Sequence, residues 1–237
     1  MNILEKLGRH FLMKRGYSVS RSPAVDTGDY ALASYTAADG SFDYAKYVSV
    51  QTAGNRAKIN NVWADKATIG LICDYLTSSG VSPKQGLCHG SRNGAEVNWF
   101  REILGCEVVG TDISDTAEEF GLVQWDFHKK RDDWRGRFDF VYTNSHDHAH
   151  DPKIAFDTWV DQLAPGGKLF IEHTMAHSPS GVTDLDPFGV DPRIFPYVIL
   201  GFAGGRYAVT DMIRPKHLKI APNEKLQIWV FVIEARA

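Results

Sequence analysis

"KQGLCHGSRNGAEVNWFREILGCEVVGTD", from Lys84 to Asp112, decides how the rest of the chain is read. "QGLCH" is a short apolar run of strand length, "GAEVNWFREILG" is a helix ended by Gly105, and "CEVVGTD" is a second strand. A strand, a glycine-containing loop, a helix and a strand make a right-handed crossover in a parallel sheet. Within the loop, Gly90 can turn without a Cβ, and Gly94 permits close helix–strand packing. The free amides at the helix start favour an electron-rich ligand group. Arg92 occupies the position where a glycine-rich loop usually has its middle glycine. Taken alone, the loop fits a modified nucleotide loop, a different loop, or an ordinary turn.

The same rhythm continues downstream. "GLVQWD" is a third, weaker strand, "RFDFVYTN" a fourth, "DPKIAFDTWVDQLAPGG" a helix stopped by Pro165 and two glycines, and "KLFIEHT" a fifth strand. Short apolar strands alternating with helices imply a parallel sheet covered on both faces. "GRYAVTDMIR" and "KLQIWVFVIEA" are two long strands joined by a Pro-containing loop, hence an antiparallel hairpin. Upstream of about Ser82 the pattern predicts helices near Asn2–Arg15 and Ala57–Thr77. Tyr44, Tyr47, Gln51, Asn55 and Lys58, spaced three or four apart, would share one face of a further helix, either as a packing surface or as a lid.

The bulk properties narrow the classes. The 237 residues are 43% hydrophobic and 23% charged, enough for a full core in one large domain. A net charge of −3 argues against a broad nucleic-acid-binding surface. Cys73, Cys88 and Cys106 fit neither a disulfide framework nor a zinc site, which suits free thiols in the cytoplasm. No run approaches the roughly 18 apolar residues of a membrane span. The amphipathic start has no continuous apolar core and no small-residue cleavage site, so no signal peptide is expected.

In an open parallel sheet, ligands bind beyond the carboxyl ends of the strands. Four stations follow the strands here. The loop Gly90–Gly94 is the first. Asp112, about twenty residues on, can accept two hydrogen bonds from a ribose diol, or cap the next turn. Asp126 could accept from an adenine amino group while Phe127 packs on the ring. Asn144 and Ser145 follow the fourth strand, with His146, Asp147 and His148 near a substrate mouth. A metal at His146, Asp147, His148, His150 and Asp151 is disfavoured, because histidines of one short loop seldom form a tetrahedral site without distant ligands. His148 and His146 are therefore read as catalytic candidates, with His173, beside Glu172, as another, and the metal assignment is none.

These stations, in this order, resemble the class I S-adenosylmethionine-dependent methyltransferases of small-molecule type. "GLCHGSRNG" resembles their glycine-rich motif, "GTDIS" their ribose-binding strand end, "WDFH" their adenine-contacting segment, "FDFVYTNSHDHAHDP" their fourth motif and "LAPGGKLFIEH" their fifth, over roughly Lys84–Thr174. Cys88 stands where the family often has an acid. The resemblance implies an α/β fold with a doubly wound, mostly parallel seven-stranded sheet and an antiparallel C-terminal hairpin. Residues 83–237 would form the Rossmann-like catalytic domain, with residues 1–82 a helical N-terminal extension or lid. It implies S-adenosylmethionine as cofactor, held by Gly90, Ser91, Arg92, Asn93, Gly94, Asp112, Ile113, Asp126, Phe127, Asn144 and Ser145. Methyl transfer to a small-molecule or glycan-like acceptor is the expected function, with His148 in the family's histidine position. A cofactor-binding protein without turnover and a nicotinamide-dependent oxidoreductase are the alternatives.

Overall fold

A computed structural model describes residues 24–80, 82–221 and 224–236. The helix expected near Asn2–Arg15 lies outside them.

The elements run β1 (Ala24–Asp26), β2 (Tyr30–Ala33), α1 (Tyr44–Ala57), α2 (Lys66–Ser78), β3 (Gln85–His89), α3 (Ala95–Leu104), β4 (Glu107–Asp112), β5 (Val123–Gln124) and β6 (Phe138–Thr143). There follow α4 (Pro152–Asp161), β7 (Leu163–Thr174), β8 (Phe188–Val190), α5 (Phe195–Ala203), β9 (Tyr207–Ile213), β10 (Lys219–Ala221), β11 (Glu224–Leu226) and β12 (Ile228–Ala235). The main sheet has seven strands in the order β5-β4-β3-β6-β7-β12-β9. The pairings through β7 are parallel, and β12 runs antiparallel to both β7 and β9. This is the doubly wound, mostly parallel sheet with an antiparallel end that the sequence predicts.

Side chains alternate across the sheet, as a two-residue period requires. Val141, Leu169, Ile171, Phe231 and Ile233 point to one face, against Phe156 and Trp159 of α4 and Phe195 and Ile199 of α5. Phe140, Tyr142, Phe170, Val230 and Val232 point to the other, against Ile69, Ile72 and Leu76 of α2 and Val97 and Phe100 of α3. Each of the larger of these, fully buried, contributes roughly 1.5–3 kcal/mol of transfer free energy. Both faces are thereby largely covered, which leaves the loops at the carboxyl ends of the strands as the open ground for a ligand.

Three expectations are corrected. The helix expected over Ala57–Thr77 is two helices, separated by residues 58–65. Asp65 caps α2 by accepting from the Thr68 backbone N–H at 2.8 Å. The carbonyls of Ile59 and Asn61 are taken by the side chains of Asn93 and Arg92, at 2.8 and 3.0 Å, so they do not propagate a helix. Ile59, Val62 and Trp63 therefore lie between the two helices rather than on a helix face.

The segment before Ser82 is also not purely helical. β1 and β2 join β8, from the stretch after β7, in a separate three-stranded antiparallel sheet. Pairing between strands so far apart in sequence leaves no local signature. Finally, the tail contains a small extra hairpin, β10–β11, and the long strand expected from Lys225 divides near Gln227.

Candidate active site

The order of strands reverses between β3 and β6: later strands extend the sheet first on one side, then on the other. At such a switch point the loops leaving the two strands diverge and open a crevice. The loop after β3 lines this crevice. Gly90 has φ +69°, Gly94 has φ +72° and begins α3, and Arg92 has φ +44°. Arg92 is the single non-glycine with positive φ among the described residues. The position that lacks a glycine has thus kept a glycine-like backbone, which costs a side-chain-bearing residue of order 1 kcal/mol. Two bonds hold it there. The Arg92 backbone N–H donates to Asp112 Oδ2 at 2.9 Å, and Nη1 donates to the Asn61 carbonyl at 3.0 Å.

Asp112 ends β4. Its other oxygen, Oδ1, accepts from the Ser114 backbone N–H at 2.9 Å. A carboxylate has about four lone-pair sites, and the Asn55 side chain of α1 engages it as well, so a diol would replace that contact. Burial raises its pKa, and the two backbone donors oppose that rise. Asp126 follows β5 with Phe127. Burial would raise the Asp126 carboxyl, but the His128 imidazole at 2.8 Å and backbone N–H at 3.0 Å outweigh it, holding the group down at about 2. Ser145 follows β6, and its Oγ donates to the Gly90 carbonyl at 3.1 Å, tying the two crevice walls together.

Two cavities occupy the crevice. The smaller, about 50 Å³, is walled by Asp112, Ile113, Asp126 and Phe127 on the sheet side, with Gly90, Arg92 and Ser145. Tyr47, Gln51, Asn55 and Lys58 cover it, the same face of α1 that the sequence spacing groups together. Tyr44 of that set reaches Asp126 electrostatically. Leu185 enters beside Gly54, so closely that a Cβ on Gly54 would overlap its side chain. The larger cavity, about 800 Å³, is lined by Ser91, Arg92, Asn93, Glu96, Asn144, Ser145, Asp147, His148, His177 and Asp186, with Trp63 at its rim. Lys58, Gly90, Arg92, Ser145 and His148 border both.

The two expected catalytic histidines differ in position. His148 lines both cavities. Its Nδ1 lies 2.8 Å from Gln51 Oε1 and 2.9 Å from the Leu185 carbonyl. Both neighbours are acceptors, so Nδ1 carries the proton and Nε2 holds the lone pair. Nε2 stands 3.6 Å from Asp186 Oδ1. His146 is fully buried and lines neither cavity. It packs against His173 and against His177, and of these three only His177 lines a cavity, so His146 has no direct route to an acceptor. Gly94, also fully behind the loop, acts through α3 rather than through either cavity.

Several lining residues escape sequence reasoning. Leu185 belongs to a loop without periodicity. Glu96 reads as an ordinary acid in the first turn of a helix. It is nevertheless buried, which pushes its carboxyl up to about 7. The one available signal is its place two residues after Gly94.

No protein-family model and no curated protein matches the chain. Solved structures do. The 1,6-didemethyltoxoflavin-N1-methyltransferase of Burkholderia thailandensis, solved with 1,6-didemethyltoxoflavin and S-adenosylhomocysteine, superposes with a TM-score of 0.61 at 16% identity, over 92% of this chain and 100% of that one. The magnesium protoporphyrin IX methyltransferase of Synechocystis PCC 6803, solved with S-adenosylmethionine, gives 0.55 at 11% identity, over 83% and 99%. The N-methyltransferase NodS of Bradyrhizobium japonicum WM9, in complex with S-adenosylhomocysteine, gives 0.54 at 12% identity, over 77% and 97%. At these identities the likeness is one of architecture, and the chain has the fold of the class I S-adenosylmethionine-dependent methyltransferases.

Proposed function

We propose that this protein is an enzyme that transfers the methyl group of S-adenosylmethionine to a small-molecule or glycan-like acceptor. The observation that carries the reading is Asp112. A buried carboxylate at a strand end, braced by one backbone N–H on each oxygen, stands beside the Gly90 loop with its further acceptor capacity turned toward the Asn55 side chain of the covering helix. That is the donor–acceptor set a ribose diol requires.

The residues present fit the cofactor in chemistry. Asp112 and Ile113 would hold the ribose, and Asp126 and Phe127 the adenine. The loop Gly90–Gly94, with Asn144 and Ser145, would hold the methionine portion. Arg92, which borders both cavities, suits its carboxylate. Glu96, in the larger cavity, suits its ammonium group. The volume of the smaller cavity, about 50 Å³, is well below the roughly 300 Å³ at which ligand pockets begin. α1 and Leu185, which cover it, are the parts that would move outward to admit the cofactor, and α1 is on this reading a lid.

S-adenosylmethionine, when bound, supplies an electrophilic methyl carbon on a sulfonium leaving group. The protein's part is alignment, and the larger cavity has room for an acceptor. His148 presents its Nε2 lone pair in that cavity wall and takes the proton released from an acceptor O–H or N–H, with Asp186 beside it to stabilise the imidazolium. Cys73, Cys88 and Cys106 are unpaired, which suits a reducing compartment such as the cytoplasm. No helix among the described residues is long and apolar enough to cross a membrane.

Titration calorimetry with S-adenosylmethionine and S-adenosylhomocysteine tests the reading. One site per chain is expected, lost in Asp112→Ala. Binding of a nicotinamide dinucleotide, with no heat from either sulfur compound, would replace methyl transfer with hydride transfer.

A further inference from the structure

His146 is fully buried, and neither of its ring nitrogens has a hydrogen-bond partner. Buried polar groups nearly always find one, so two idle nitrogens on one imidazole call for a cause. Two more buried histidines face it. His173 is the penultimate residue of β7 and His177 closes the turn that follows. His173 Nε2 is also without a partner. One nitrogen from each of the three lies within 4.8 Å of the others. From this geometry we infer that His146, His173 and His177 form a binding site for one first-row divalent transition-metal ion. The inference does not depend on methyl transfer.

Ring placement supports it. The imidazole centroids are 4.6, 4.8 and 5.3 Å apart. Three imidazoles ligating one ion at about 2.0–2.1 Å in tetrahedral geometry have centroids about 5 Å apart. The tautomer of His173 is also set correctly. Its Nδ1 donates to the Thr174 carbonyl at 2.9 Å, which leaves the lone pair on Nε2, the unpartnered atom. A backbone carbonyl on the distal nitrogen is the usual orienting contact of a metal-bound histidine.

Phe188, Phe195 and Phe231 wall the cluster, with Phe195 5.0 Å from the His173 ring and 5.6 Å from the His146 ring. No carboxylate belongs to the triad, so the donor set is all imidazole, which selects zinc, iron, cobalt, nickel or copper over magnesium or calcium. His177 also lines the larger cavity, and its Nε2 stands 3.9 Å from Asp147 Oδ2. Three protein ligands with one of them at a cavity wall match the open arrangement of catalytic rather than structural sites. The competing role for His177 is a turn cap: its Nδ1 accepts from the Thr174 N–H at 3.3 Å. Ligation through Nε2 gives up that long bond. A cap explains neither His146 nor the idle Nε2 of His173.

The objection raised by the sequence is met by distance along the chain. Histidines of one loop lack remote ligands, but here β7 runs beside β6 and delivers two of them.

The test uses the untagged full chain, stripped with chelator and titrated with Co2+. The expected result is one equivalent bound, with the strong visible absorption of a low-coordinate imidazole site. His146→Phe, which suits the aromatic wall, and His173→Gln should each abolish that absorption, while His217→Gln keeps it. Proton spectra of the Co2+-loaded wild type should show three hyperfine-shifted exchangeable imidazole N–H signals, a readout that needs no variant to fold. Absence of stoichiometric binding, absorption persisting in the His146→Phe/His173→Gln double variant, or absence of the shifted signals would overturn the inference.

Discussion

Gly90 and Ser145 meet across the crevice with no space for a side chain between them. A Cβ on Gly90 would stand 2.6 Å from both Cβ and Oγ of Ser145. The left-handed φ of +69° adds a second obstacle. Gly90→Ala is therefore expected to lose about 2–3 kcal/mol of stability, from a backbone cost of 1–2 kcal/mol plus overpacking. Urea unfolding reads this directly. Ser145→Gly/Gly90→Ala should recover the packing part alone, because it removes the clash and leaves the strained φ.

Asp112→Asn keeps the shape of the side chain but removes its charge and one acceptor. It should weaken S-adenosylhomocysteine binding about 10–100-fold, since hydrogen bonds to a charged group are worth roughly 1.5–3 kcal/mol. Calorimetry at fixed ionic strength measures it. An unchanged affinity would remove Asp112 from the ribose site.

Leu185 helps to close the smaller cavity. Leu185→Ala should leave the closed arrangement less favoured, so that less of the binding energy is spent on opening it. The association rate of S-adenosylhomocysteine, followed by stopped-flow fluorescence of the native tryptophans, is expected to rise about three- to tenfold. A slower rate would make Leu185 a wall of the bound state rather than an obstacle to entry.

Glu96 carries a pH dependence. Burial raises its folded-state pKa from 4.5 to about 7, against smaller opposing contributions from its own backbone N–H and from Arg92. The folded state therefore holds this proton more tightly than the unfolded chain does. Stability from this group is fully present below about pH 4.5, declines from there, and is lost above about pH 7. The loss amounts to about 3 kcal/mol, at 1.36 kcal/mol per pH unit of difference. Glu96→Gln should flatten that part of the stability profile and be the more stable protein at pH 8, as measured by chemical denaturation across pH.

How much of this was readable in the sequence depends on the range of each interaction. β3, α3 and β4 are bounded by local signals, and Gly94 and Gly105 fall at the two ends of the helix. The acids at Asp112 and Asp126 follow from where strands end. The break at residues 58–65 was not readable, because side chains of the distant Arg92 and Asn93 take the carbonyls that would have continued the helix. The small sheet β1-β2-β8 was not readable either, since its strands are too short to show a period. The histidines were all visible. Their grouping was not, because it depends on the parallel pairing of β6 with β7.

The pairing of β2 with β8 sets an order of events during synthesis. Residues 30–33 leave the ribosome long before residues 188–190 exist. At roughly 5–20 residues per second, the early strand waits on the order of ten seconds or more for its mate. In that interval β3 to β7 can assemble and bury their faces on α2, α3 and α4. The small sheet can thus close only after the five parallel strands exist, just before α5 is made to cover the same face. A chain halted before Phe188 would carry the five parallel strands with β2 paired to β1 on one edge and open on the other.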